Sequence, residues 1–185
     1  MKNLFDWRRV WPHLAVFAGS MVLALIYMSP VLKGQHFGMH DVDRFVTLQS
    51  EIRKYAGEYI GWTNSLFGGM PTFLIGGNYS NSVFIKIHTL IYNVFNLQNS
   101  LYIAFYLFAA YLLLRAFRCN LWISVLGAIG YAFFTYNLQI IEAGHLAKVY
   151  ALGYLPLMMA GLIYGFDQKP WSGAALFSLG LGLQI

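Results

Sequence analysis

Four long stretches without a charged side chain constrain this sequence most: Val10 to Leu32, Ile87 to Leu114, Cys119 to Ile141 and Val149 to Phe166. Each is apolar throughout or nearly so, and each reaches the length a helix needs to cross about 30 Å of hydrocarbon. Charged residues make up 10% of the chain, against about 25% in an ordinary soluble domain. Most soluble folds are thereby excluded. The expected fold is all-α, a polytopic membrane helix bundle in one domain, with spans at about 10–32, 99–114, 119–141 and 149–166. A fifth begins at Pro170 and is expected to be cut short at Ile185.

One further uncharged run, Tyr59 to Ile85, is rich in Gly, Asn, Ser, Thr and Pro. It reads as a loop, because irregular backbone facing lipid leaves polar groups unpaired. The first span follows Lys2, Arg8 and Arg9 as a signal peptide would. Its apolar core is too long, however, and Ser29-Pro30 offers no small-x-small cleavage site, so an anchor is expected.

With the N-terminus in the cytoplasm, Lys2, Arg8, Arg9, Arg115, Arg118 and Lys169 crowd into short inner segments. Lys33, Arg44, Arg53, Lys54, Lys86 and Lys148 are then spread along longer outer ones. That density favours this orientation and puts segments 33–98 and 142–148 on one outer face. The net charge of +5 reflects topology and anionic headgroups, and nucleic acid is not an expected partner. Cys119, the one cysteine, has no partner for an internal disulfide.

In the long outer segment, Val42, Phe45, Leu48, Ile52, Tyr55 and Tyr59 recur at spacings of three and four from Asp41 onward. This predicts an amphipathic helix on the membrane surface. A second is expected from about Ser82 to Asn96. Asp41 then stands where a helix N-cap would, with Asp43 as a first-turn acid; a cap and a catalytic base both need a carboxylate held in place. Next comes Trp62-Thr63-Asn64-Ser65-Leu66-Phe67-Gly68-Gly69-Met70-Pro71, which reads either as a tight turn packed by its aromatics or as a substrate-lining loop.

The short outer segment, Glu142-Ala143-Gly144-His145-Leu146-Ala147-Lys148, holds an acid, an imidazole and an ammonium. His145 and Lys148 share a face on a helical turn and can stabilise a phosphate leaving group; the plainer reading is that Lys148 snorkels to the headgroups. Zinc would need more ligands than one His and one Glu.

Taken together, Ser29-Pro30, Gly38-Met39-His40-Asp41, the Trp62 to Pro71 stretch, and Glu142-Ala143-Gly144-His145 with Lys148 and Pro156 resemble the YfhO family of bacterial membrane proteins. That resemblance implies a GT-C-like glycosyltransferase of the cytoplasmic (inner) membrane, using polyprenyl-phosphate-linked sugars at the outer face, and a family protein several times longer than this chain. It implies Asp41 as the base, with Asp43 as fallback, and a cell-envelope acceptor. Arg44, His145 and Lys148 are expected to neutralise the lipid phosphate, and Trp62, Asn64 and Gly69 to line the substrate. No cofactor is required; an Asp41 and Asp43 pair plus phosphate would suit a divalent cation.

Two other classes stay open. A lipid or solute transporter would carry intramembrane charges or broken helices near the midplane, and the four runs suggest neither. A non-catalytic membrane assembly protein would use the outer loop to bind a partner.

Overall fold

A computed structural model describes residues 7–35, 38–54, 60–76, 82–93, 98–167 and 169–184. Lys2, Tyr55, Tyr59, Asn96 and Ile185, named above, lie outside the described residues.

The chain is mostly helical. The first helix, α1 (Trp7–Tyr27), ends earlier than expected, because Pro30 has no N–H for the carbonyl of Ile26 four residues back and its ring crowds that turn. A single 3-10 turn over Ser29–Lys33 follows, closed by Gly34 in the left-handed region. Next come α2 (His40–Leu48) and α3 (Ser50–Lys54), parted by a turn at Gln49. The predicted amphipathic helix is thus two pieces.

The stretch expected to be an irregular loop contains a two-stranded hairpin, β1 (Trp62–Thr63) with β2 (Met70–Pro71), and a short helix, α4 (Phe73–Gly76). The strands are antiparallel, Trp62 facing Pro71 and Thr63 facing Met70. Then α5 (Val83–Asn93) leads to α6 (Gln98–Ala116), α7 (Leu121–Ala132), α8 (Thr135–Ala143), α9 (Leu146–Phe166) and α10 (Pro170–Gly182).

Among the described residues, α1 and α9 are long and apolar enough to cross a membrane, and α7 with α8 adds a third if the bent pair counts as one span. The apolar part of α6, Ser100–Ala116, reaches only roughly 25 Å at 1.5 Å per residue. The expectation that the runs hold no broken helix is overturned. The third run bends by 44° between α7 and α8.

Two polar side chains make that bend tolerable. Asn137, 2% exposed, donates from Nδ2 to the carbonyl of Tyr131 at 2.7 Å. The Tyr131 hydroxyl donates to the carbonyl of Leu152 at 2.7 Å. Pro156 has no N–H for that carbonyl, so Tyr131 supplies the donor the helix lacks. An unpaired carbonyl in an apolar interior would be costly.

The core centres on α6, which packs against α1, α7 and α9, while α9 and α10 form a close hairpin. Tyr102, Tyr106, Tyr111 and Tyr154 are buried there, and the Tyr106 hydroxyl donates to the carbonyl of Val149 at 2.8 Å. On α9 and α10, small residues let backbones meet: a Cβ on Gly173 would stand 2.1 Å from Gly165 N, and one on Gly161 2.3 Å from Phe177 N. Such contacts suit apolar surroundings, where packing rather than water drives helix association.

Candidate functional site

The turn between α8 and α9 places the site. Gly144 closes α8 at φ 82°, with its N–H on the carbonyl of Ile141 at 3.2 Å, a conformation that favours glycine. Its missing side chain matters as much as its backbone. A Cβ there would lie 2.6 Å from Met39 Cβ and 3.1 Å from Val42 Cγ2. The start of α2 therefore rests directly on this turn.

That contact brings two sequence-distant residues together: His145 Nδ1 lies 2.8 Å from Asp41 Oδ2. A carboxylate oxygen accepts, so Nδ1 carries the hydrogen and Nε2 is the remaining ring nitrogen. Asp41 is not the N-cap. Met39 occupies that position without a side-chain cap bond, and Asp41 falls within the first turn of α2. Its side chain turns to His145 instead of to its own helix.

Both residues line a cleft of about 440 Å³, together with Val42, Phe45, Gly144, Leu146, Ala147 and Lys148. Val42, Phe45, Leu146 and Ala147 make its apolar lining, and Asp41, His145 and Lys148 its polar groups. His145 and Lys148 lie in the opening turn of α9, where the Lys148 N–H donates to the His145 carbonyl at 2.9 Å. The positive end of the 21-residue α9 opens at the same place, which favours an anion there.

The other expected site residues are elsewhere. Asp43 and Arg44 are exposed on α2 and are not among the described residues lining the cleft. Glu142 lines a separate cavity of about 230 Å³ with Tyr27, Pro30 and Leu138. Among the described residues no group of three or more His, Cys, Asp or Glu comes together, and the expected Asp41 and Asp43 pair does not share the cleft.

Trp62, Asn64 and Gly69 build the hairpin rather than the cleft wall. The Trp62 indole donates from Nε1 to Asn64 Oδ1 at 3.2 Å. A Cβ on Gly69, whose φ is 124°, would meet that nitrogen at 2.5 Å. Only glycine lets the ring lie there. Glu51 on α3 ties the hairpin down: its Oε2 accepts from the Asn64 N–H at 2.9 Å and from the Thr63 hydroxyl. Thr63 is 2% exposed. Its hydrogen bond holds the Glu51 carboxyl below the usual carboxylate range.

Sequence reasoning missed Glu51, Tyr131 and Asn137. A signal existed for Tyr131, since Pro156 leaves one carbonyl in need of a donor. None existed for Glu51, whose partners fold back from the next segment.

No protein-family model, curated protein or solved structure matches the chain.

Proposed function

We propose that this chain carries residues of a glycosyltransferase site, which moves a sugar from a polyprenyl-phosphate donor to a cell-envelope acceptor at the outer membrane face. One observation carries the reading: a carboxylate and an imidazole meet at 2.8 Å in a cleft that also holds Lys148 and an apolar floor. The resemblance of the quoted motifs to the YfhO family supports the same chemistry, with a GT-C-like fold and α2 lying on the outer membrane surface.

In this reading Asp41 takes the proton of the acceptor hydroxyl as that oxygen attacks the anomeric carbon. The bond from that carbon to the lipid phosphate breaks and the configuration inverts. Lys148, His145 and the positive end of α9 stabilise the departing phosphate, while Val42, Phe45 and Leu146 face the first lipid carbons. Trp62, Asn64 and Gly69 shape a neighbouring hairpin for the acceptor, and Asp43 and Arg44, exposed on α2, bind the substrate's outer part. A divalent cation is not required.

The test is sugar transfer from polyprenyl-phosphate donors by the protein and its Asp41→Asn variant. A loss of about 10² to 10⁴ in rate is expected for a lost general base; equal rates would remove Asp41 from the chemistry.

A transporter remains the second reading, and the 44° break between α7 and α8 favours it, because broken helices line solute paths. Solute flux in vesicles that is abolished by Asn137→Leu, with no sugar transfer, would select it.

A further inference from the structure

Apart from the Asp41 cleft, α1 and α7 both lean on α6 and leave a groove of about 380 Å³ between them. Pro12, Ala15, Gly19 and Leu23 form one wall, and Trp122 and Val125 belong to the other. We propose that this groove binds one acyl chain of an anionic phospholipid, whose headgroup sits at the basic end of the bundle.

Three observations support that occupant. The groove runs along helices whose outward surfaces are apolar, and Trp11, Val22, Trp122 and Leu126 beside it are all exposed. A flexible hydrocarbon chain suits such walls. Second, the stripe Pro12, Ala15, Gly19, Leu23 follows helical spacing, and Arg8 lies one turn before Pro12 on the same stripe. A long guanidinium side chain can reach from that position to the headgroup level. Third, the described charged residues at this end of the bundle are Arg8, Arg9, Arg115, Arg118 and Lys169, against the single acid Asp167. That balance prefers an anionic headgroup to a zwitterionic one. The inference does not depend on the transferase reading, since the groove and the Asp41 cleft share no lining residue.

Gly19 provides the decisive variant, because a Cβ there would meet nothing within 4 Å. Gly19 lines the groove, so Gly19→Leu places its side chain in that space. The chain would be reconstituted in bilayers carrying chain-spin-labelled phosphatidylglycerol or phosphatidylcholine, and the motionally restricted lipid measured. About fivefold preference for phosphatidylglycerol is expected of the unaltered protein, the factor associated with a basic residue at an anionic surface. Gly19→Leu should abolish that preference. The double variant Arg8→Gln, Arg9→Gln removes two positive charges at this end; it should bring the two lipids level while leaving restricted lipid in place. Equal binding of both lipids by the unaltered protein would overturn the proposal, as would a preference that survives either variant.

Discussion

Gly144 shows how much one residue decides here. Its positive φ costs a residue with a Cβ about 1–2 kcal/mol, and the same Cβ would drive into Met39. Gly144→Ala should therefore lower stability by at least that amount, read by unfolding in detergent. It should also separate Asp41 from His145. A double-mutant cycle with Asp41→Asn and His145→Gln should show coupling in the unaltered protein and none in the Gly144→Ala background. A second residue-scale prediction concerns Glu51. Thr63 and Asn64 hold its folded pKa below the ordinary value of 4.5, so its contribution is full above that value and is lost as pH falls through the folded one. The protection of the Asn64 amide from hydrogen exchange, relative to its intrinsic rate, should fall on acidification below about pH 4.5, and Glu51→Gln should flatten that dependence.

At the scale of elements, two breaks in regular helix support one another. The bend between α7 and α8 takes the carbonyl of Tyr131 out of the regular helix ladder, where Asn137 donates to it beside the Phe134 N–H, and Pro156 in α9 frees that of Leu152, which Tyr131 fills. Tyr131→Phe should cost about 0.6–2 kcal/mol, the range for a hydrogen bond between membrane helices, measured by unfolding. The contact between α9 and α10 works by a different principle, absence of side chain. A Cβ at Gly173 would meet the backbone of α9 at 2.1 Å, so Gly173→Leu must force the two helices apart. Cysteine pairs across that hairpin should then stop cross-linking, while Gly130→Leu, where a Cβ meets nothing within 4 Å, should leave them unaffected.

For the whole molecule, the helix directions sort the chain into two ends. His13 of α1 meets Tyr111 near the end of α6 at 2.8 Å, and Arg118 after α6 pairs with Asp167 after α9, Nε to Oδ2 at 3.1 Å. The start of α1, the turn after α6 and the turn after α9 therefore share one end. Exposed Trp7, Trp11, Trp122 (78%) and Trp171 (88%) collect there, an arrangement suited to a membrane interface. Phe67, 89% exposed at the tip of the hairpin, belongs to the opposite end with Asp41 and His145. In a Cys119→Ser background, Phe67→Cys and Lys169→Cys should react with impermeant thiol reagents from opposite sides of a vesicle. Labelling from one side would contradict a transmembrane bundle.

The long uncharged runs were enough to establish helices in an apolar setting, because hydrophobic length and backbone pairing are local demands that each segment meets alone. The three-residue spacing of His145 and Lys148 was legible for the same reason. The sequence alone misjudged continuity: Pro30 shortened α1, Gln49 divided the surface helix, and the third run bent. It also could not place Trp62, Asn64 and Gly69 away from the Asp41 cleft. Those outcomes depend on which distant groups satisfy a freed carbonyl or occupy the space beside a missing Cβ. Only packing in three dimensions decides that, and it alone set Asp41 against His145.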